Sequence, residues 1–208
     1  MQRIAVFASG RGSNFRSLLE AERSGGCPGH IVLLLGDKAG AGAVAYARGQ
    51  GIETFVVPSK KTKGRLSLEE ESAFRDACLA AKIDWICLAG FMRILRGPLL
   101  EAFQGRIVNI HPALLPAFPG LDAQKQAFDY GAKLTGCTVH LVDAGVDTGP
   151  IVVQRSVEVL ENDTVATLAD RILEAEHAIY PEALRRLLGE KWERRGRRIV
   201  FQPRKDKP

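Results

Sequence analysis

Two polar side chains end an apolar stretch in the middle of the chain, and their types suit acid–base chemistry. In "RIVNIHPALLP" (106–116), Asn109 and His111 continue an alternating apolar pattern. Residues i and i+2 of a strand share a face, so the carboxamide and the imidazole are expected to point the same way. Pro112 keeps His111 extended. Such a pair can stabilise an oxyanion and move a proton, or it can simply be a well-bonded strand end.

A Gly-rich segment further along the chain supplies two carboxylates. "VDAGVDTGPIV" (142–152) contains Asp143 and Asp147 between two predicted strands. Loops at the end of a sheet commonly carry functional residues, and Asp147 could reach His111 to hold it protonated or relay its proton. An Asp in a turn is also an ordinary turn residue. Spacing alone therefore predicts only a small-molecule α/β enzyme with an Asn/His/Asp site.

A second Gly-rich segment, "ASGRGSN" (8–14), follows the first predicted strand and opens the first predicted helix. Backbone N–H groups at a helix N-terminus favour a phosphate. A dinucleotide fingerprint would need a third glycine where Phe15 stands, although Asp37 lies where a ribose-binding acid would. No Lys-Ser/Thr pair follows, which excludes a Walker loop. We favour a phosphate monoester, with a dinucleotide or a purely structural turn as the alternatives.

The elements that must hold these residues alternate between apolar strands and helices. Near-continuous Val/Ile/Leu runs predict a mainly parallel, doubly wound, Rossmann-like α/β sheet with helices on both faces. After residue 122, longer predicted strands at 134–143 and 151–159 indicate an antiparallel addition toward the C-terminus. A long amphipathic helix is predicted from 164 to 188, with Asn162 and Asp163 as candidate caps.

The positive charge of the chain is concentrated at its end. Of the formal net charge of +5, residues 190–208 contribute all, with eight Lys and Arg against three Asp and Glu. We expect a single domain over 1–190 and a basic extension over 191–208, a short hairpin plus a frayed tail, rather than a nucleic-acid patch. No aromatic stacking platform accompanies the charge.

Other classes of protein are not favoured by the composition. No apolar stretch is long enough for a membrane span, and the N-terminus lacks a signal-peptide pattern, so a cytoplasmic enzyme is expected. The four cysteines stand singly without metal-site spacing and are expected to be reduced, small apolar residues. The sequence leaves monomer and homodimer open.

Five segments, in this order, resemble the phosphoribosylglycinamide formyltransferase family of the folate-dependent formyltransferase superfamily. They are "GRGSN", "LAGFMRIL", "NIHPALLPAFPG", "GCTVHLVDAGVDTGPI" and "EHAIYPEAL". The resemblance covers residues 1 to about 190. It implies transfer of a formyl group from 10-formyltetrahydrofolate, as co-substrate, to the amine of glycinamide ribonucleotide. The implied reaction requires no metal and involves no nucleic acid or membrane.

The resemblance also implies roles for particular positions. Asn109, His111 and Asp147 match the family's catalytic trio. In it, Asn109 and a protonated His111 would stabilise the tetrahedral intermediate, while Asp147 would raise the pKa of His111 and assist proton transfer. Residues expected to bind the substrate phosphate and glycinamide are Gly12, Ser13, Asn14 and Glu176. Residues expected to contact the folate are Met92, Arg93, Ile94, Leu95, Asn109 and Asp143. Simple packing is the alternative for Met92, Ile94 and Leu95, and structural histidines are the default for His30, His140 and His177.

The chain departs from the family in two places. Some members have histidines where this chain has "DAQKQ" (122–126), and we assign those positions no role. The segment "KKTKGRLSLEEESAF" (60–74) aligns poorly, so a folate-contacting arginine is not placed there; its lysines would attract a glutamate tail by charge alone, or belong to a solvated loop.

Several rival functions share the site or the fold. A 10-formyltetrahydrofolate deformylase uses water as acceptor and normally carries a regulatory domain first, whereas this pattern starts at residue 3. Methionyl-tRNA formyltransferase usually adds a C-terminal domain larger than the space available. Sugar-nucleotide formyltransferases lack "GRGSN" in this form. A phosphate- or nucleotide-binding module without catalysis is the alternative from a different class.

Overall fold

A twisted mixed sheet with helices on both sides organises the molecule. The computed structural model describes residues 1–58 and 64–202. The strands are β1 (Gln2–Phe7), β2 (Gly29–Gly36), β3 (Glu53–Val56), β4 (Gly64–Arg65), β5 (Trp85–Leu88), β6 (Arg93–Ile94), β7 (Ile107–His111), β8 (Leu134–Leu141), β9 (Ile151–Glu158), β10 (Trp192–Arg195) and β11 (Arg198–Phe201). The helices are α1 (Ser13–Arg23), α2 (Gly42–Gly49), α3 (Leu68–Ala80), α4 (Pro98–Ala102), α5 (Ala123–Tyr130) and α6 (Val165–Gly189).

The sheet has a parallel half and a largely antiparallel half. Over the described residues the strand order is β10-β11-β9-β8-β7-β5-β1-β2-β3. Strands β7, β5, β1, β2 and β3 run parallel, whereas β8 and β9 pair antiparallel beyond β7. The predicted fold class, a mainly parallel α/β sheet with an antiparallel addition toward the C-terminus, is confirmed. The carboxyl ends of β1, β5 and β7 therefore meet at one edge, where ligands bind in such sheets.

Both faces of the central strands are buried, which explains their continuous apolar runs. In β1, Ile4 and Val6 pack into a core with α1, α2 and α6, while Ala5 and Phe7 pack into a second core with α3 and α4. All four side chains are fully buried. Phe7 meets Phe74 of α3 edge to face, with ring centroids 5.2 Å apart. Because a parallel central strand touches a helix layer on each side, alternation gives way to unbroken hydrophobicity.

Some element ends differ from the prediction. The strand expected over 84–91 stops at Leu88, because Gly90 takes a left-handed backbone (φ 74°) that turns the chain into β6. The cap of α6 predicted at Asn162–Asp163 is wrong. Thr164 caps the helix by accepting the Thr167 N–H, while Asp163 binds the guanidinium of Arg171.

The C-terminal residues continue the sheet. Strands β10 and β11 pair antiparallel as a hairpin, and β11 joins β9 through Arg198 opposite Ile151. Residues 203–208, the end of the predicted frayed tail, lie outside the described residues. No helix in the described part of the chain is long and apolar enough to cross a membrane. The four cysteines are buried and free, with no disulfide among them.

Candidate active site

The predicted Asn/His/Asp set opens onto one cavity at the carboxyl edge of the sheet. Strand β7 carries Asn109 and His111 at its end, and the loop between β8 and β9 carries Asp147. All three side chains line a cavity of about 380 Å³. Residues far apart along the chain meet there because β7 lies between β5 and β8 in the sheet. The structure thus brings together the residues that the sequence picked out.

His111 has an acceptor beside each ring nitrogen. Nδ1 lies 3.4 Å from Asp147 Oδ2, and Nε2 lies 2.9 Å from the carbonyl oxygen of Phe118. A carbonyl can only accept, so Nε2 carries a proton and Nδ1 is the atom free to gain or lose one. The Nδ1 contact is longer than an ordinary hydrogen bond. The ring is held in a fixed plane, with its exchangeable site directed toward Asp147.

Burial controls the protonation of His111. Burial lowers the pKa of His111 below its usual value, and this outweighs Asp147 and the Phe118 carbonyl, which both raise it. Asp147 acts in the predicted direction, but it does not raise the net pKa above the ordinary value. The unliganded ring is therefore mostly neutral at neutral pH, suited to accepting a proton rather than to holding one.

Asp147 is held in an unusual backbone conformation. Its φ is 54°, a left-handed value that costs a non-glycine residue about 1–3 kcal/mol. Its Oδ2 accepts the Gly120 N–H at 2.8 Å, and its Oδ1 lies 3.6 Å from His140 Nε2. Burial raises the pKa of Asp147, but the nearby histidines and the Gly120 N–H together lower it more, and the net pKa lies below the usual value. The carboxylate is ionised beside His111.

His140 is a site residue that the sequence interpretation missed. Its Nδ1 donates to the Leu141 carbonyl at 3.0 Å, so its Nε2 accepts the Nδ2–H of Asn109 at 3.1 Å. The ring is buried and lines the cavity. His140 stands opposite Asn109 in the β7–β8 register. It therefore orients the Asn109 carboxamide, a role that no local sequence pattern signals.

The predicted phosphate loop and acid form a second cluster. Gly12, with φ 79°, ends the loop immediately before α1, where a Cβ would come within 2.7 Å of Ala43 Cβ. The Asn14 Nδ2–H donates to Glu176 Oε2 at 2.8 Å. Both side chains are buried, and Asn14 Oδ1 has no hydrogen-bond partner among the described residues. Burial raises the pKa of Glu176 to about 7, although Asn14 lowers it.

This cluster does not line the 380 Å³ cavity. Gly12 and Asn14 follow the carboxyl end of β1, two strands from β7, and Glu176 faces them from α6. Gly12 is the N-cap of α1, and no side chain caps the first-turn N–H groups of this helix. The two clusters lie along the same edge of the sheet, as parallel strands require.

The segment Met92–Leu95 lines the cavity, but its members do different things. Met92 is more than half exposed at the mouth, whereas Leu95 is buried in the core. The Arg93 side chain turns away into the protein, where its Nε lies 3.0 Å from Asp37 Oδ2. We therefore do not expect the Arg93 guanidinium to contact a ligand in the cavity. The same ion pair engages Asp37, the acid that the dinucleotide alternative needed.

Asp143 lines the cavity and also folds its own loop. Its Oδ1 accepts the Gly145 N–H at 3.0 Å and the Thr148 hydroxyl at 2.6 Å. Asp122 and Gln124, in the segment given no role from the sequence, line the cavity too. Lys60, Lys61 and Lys63, the candidates for binding a glutamate tail, lie outside the described residues. Among residues 1–58 and 64–202, no cluster of three or more His, Cys, Asp or Glu could hold a metal ion.

Comparison with known proteins matches residues 2–184 to the family described as "Formyl transferase". The chain belongs to the formyl transferase family. It is similar, at 42% identity over 193 residues, to phosphoribosylglycinamide formyltransferase from Bacillus subtilis (strain 168), covering 91% of this chain and 96% of that protein. The family uses 10-formyltetrahydrofolate as co-substrate, and this chain is a formyl transferase enzyme. Membership of this family argues against two alternatives raised by the sequence, a dinucleotide-binding dehydrogenase and a binding module without catalysis.

Other relatives extend the comparison. The trifunctional purine biosynthetic protein adenosine-3 of Drosophila melanogaster is 44% identical over 189 residues, which is 90% of this chain but 14% of that protein. Glycinamide ribonucleotide transformylase 1 from Symbiobacterium toebii has a TM-score of 0.92 and 45% identity, covering 98% of this chain and 95% of that one. A formyltetrahydrofolate deformylase from Pseudomonas syringae shares the fold alone, at 24% identity and a TM-score of 0.84.

Proposed function

We propose that this formyl transferase moves the formyl group of 10-formyltetrahydrofolate to the amine of glycinamide ribonucleotide, a step of de novo purine (IMP) biosynthesis. The observation that carries the proposal is the meeting of Asn109, His111 and Asp147 around one cavity of substrate size. The names of relatives that cover nearly the whole chain support the choice of substrates.

The cavity binds the folate, and the cluster around Gly12 and Glu176 binds the amine substrate. The folate occupies the cavity bounded by Met92–Leu95, Asn109 and the loop with Asp143, where an exposed Met92 and a buried Leu95 offer apolar contact. The backbone, rather than the guanidinium, of Arg93 contributes there. The phosphate of the amine substrate lies on the N–H groups after Gly12 and Ser13. The buried Asn14 Oδ1 and Glu176 accept N–H groups of the glycinamide.

The chemistry follows from the protonation state of the trio. The amine nitrogen bonds to the formyl carbon, and negative charge develops on the formyl oxygen. The Asn109 carboxamide, oriented by His140, donates to that oxygen, and removing such a donor costs about 3–4 kcal/mol in the transition state. The neutral His111 takes the proton of the amine on Nδ1, and the nearby carboxylate of Asp147 stabilises the resulting imidazolium.

In the second half of the reaction, His111 passes that proton to the folate. The bond from the formyl carbon to the folate nitrogen breaks, and His111 delivers its proton to that nitrogen as the leaving group departs. In the net reaction, one formyl group moves from the folate to the amine, and one proton moves from the amine to the folate nitrogen. A proton shuttle of this kind contributes about 10²–10⁴-fold to the rate.

An absorbance assay tests the proposal against its closest rival. Loss of 10-formyltetrahydrofolate is followed with and without glycinamide ribonucleotide. Consumption that depends on the amine, with formylglycinamide ribonucleotide as product, supports transfer. Consumption at the same rate without the amine would identify a deformylase that uses water, and no consumption with either would contradict the proposal.

We propose one formyltransferase domain over 1–190, with 191–208 as an extension that adds the hairpin to the sheet edge. The enzyme acts in the cytoplasm on small molecules, as a monomer or homodimer, without nucleic acid. Gel filtration with light scattering tests the oligomeric state, and a fluorescent fusion tests the location.

A further inference from the structure

The C-terminal hairpin is docked firmly on the body of the protein. The Trp192 indole N–H donates to the Leu187 carbonyl at 3.0 Å, and the Arg186 guanidinium lies 3.8 Å from the centre of the Phe201 ring. Ile199 and Phe201 pack against the main core. These contacts fix β10 and β11 relative to α6. The basic residues of the hairpin are therefore held at defined positions rather than scattered along a loose tail.

One of these basic residues reaches the loop between β8 and β9. Arg197, in the turn of the hairpin, donates from Nη2 to the carbonyl oxygen of Thr148 at 2.6 Å. Thr148 directly follows Asp147. The reach is short because β11 runs beside the start of β9, with Arg198 opposite Ile151. The hairpin thus holds the loop at the point where it leaves the cavity.

The loop needs such an anchor because its conformation is strained. Asp147 is left-handed, and a residue in that region persists only when its surroundings fix it. Inside the loop, the Thr148 hydroxyl donates to Asp143, and at its base the Leu141 N–H donates to the Pro150 carbonyl at 2.9 Å. The bond from Arg197 fastens the same Thr148 from outside. Two residues that line the cavity, Asp143 and Asp147, are thereby fixed through a single neighbour.

We propose that Arg197 is a positioning residue for formyl transfer, holding the loop with Asp143 and Asp147 in its productive shape. The inference rests on the proposed function, in which Asp147 assists His111 and the loop bounds the folate. Arg197 contacts neither substrate. Its loss loosens the loop, which weakens folate binding and displaces Asp147, but leaves the cluster of Asn14 and Glu176 intact.

The test compares Arg197→Ala and Arg197→Lys with a matched control, Arg195→Ala. Arg195 lies on the same hairpin, and its guanidinium bonds within the hairpin to Glu193 at 2.8 Å. Loss of one hydrogen bond predicts a fall of about 3- to 10-fold in kcat/KM for the folate in Arg197→Ala. KM for the amine stays at the wild-type value. Lysine restores most of the loss, because its ammonium can also donate to a carbonyl.

Amide hydrogen exchange gives a second readout that does not depend on turnover. Faster exchange over 143–149 in Arg197→Ala, with unchanged exchange in β10 and β11, supports the inference even if the enzyme uses another acceptor than the proposed amine. Wild-type kcat/KM and wild-type exchange in Arg197→Ala would overturn it. An equal loss in Arg195→Ala, or a hairpin that detaches in Arg197→Ala, would overturn it as well, because the effect would then not be the bond to Thr148.

Discussion

Replacing Glu176 by glutamine should raise the free energy of unfolding at neutral and alkaline pH but hardly change it at acidic pH. The carboxyl is buried beside Asn14, and burial raises its pKa to about 7 from an ordinary 4.5. The folded state therefore binds more protons than the unfolded state between these two values. Stability from this group falls as pH rises from about 4.5 to about 7 and is constant above that range.

The size of the effect follows from the shift in pKa. A rise of about 2.5 units corresponds to a cost of about 3 kcal/mol in the ionised protein at about pH 8. Glutamine removes the titration but keeps an oxygen to accept the Asn14 N–H. We expect Glu176→Gln to unfold with a free energy about 3 kcal/mol higher than wild type at about pH 8, and less than about 0.5 kcal/mol higher near pH 4.5.

Urea unfolding of both proteins across this pH range measures the difference. Glu174→Gln is the matched control, since Glu174 is exposed on the same helix two residues away. At about pH 8 the gain in stability should be larger for Glu176→Gln than for Glu174→Gln, because Glu176 is the buried carboxyl of the two. A difference for Glu176→Gln that is flat with pH would refute the argument that Glu176 is held in a desolvated, costly position. In turnover, the same variant should lose affinity for the amine substrate and keep its KM for the folate.

Three further predictions concern the site and one helix. The pKa of His111 measured by NMR in the unliganded protein should lie below 6.5, and Asp147→Asn should lower it further, because the aspartate raises it; a value above 6.5 would contradict the dominance of burial. His140→Ala should reduce kcat by about 10- to 100-fold in steady-state formyl transfer by freeing the Asn109 carboxamide, and a kcat within twofold of wild type would contradict the positioning role of His140. Ser67→Ala should cost about 1 kcal/mol in urea unfolding by removing the α3 cap, with kcat unchanged.

The sheet was predictable because its signals are local. Runs such as "RIAVF" and "HIVLLLG" are unbroken because both faces of the strands are covered, and that pattern needs no knowledge of distant residues. The shared direction of Asn109 and His111 follows from strand geometry in the same way. The Gly-rich loop pointed to Asp147, and the family resemblance matched it to the catalytic trio, although the alternation of residues could not give its place beside His111.

Other features depend on contacts that a sequence does not encode locally. The register that sets His140 against Asn109 arises from the pairing of two strands about 30 residues apart. Arg93 looks like a ligand contact in "MRIL", but its partner is Asp37, and only the folded chain brings them together. The net pKa of His111 depends on how deeply the ring is buried. The hydrogen bond from Arg197 to Thr148 could not be predicted without knowing where the hairpin lies in the folded chain.

If His111 carries the proton between amine and folate, single-turnover formyl transfer should be severely slowed in His111→Ala. Folate and amine are both saturating, and the fold is checked by circular dichroism. We expect a rate at least about 10³-fold below wild type with folate binding retained. A well-folded variant that transfers the formyl group within tenfold of the wild-type rate would contradict it.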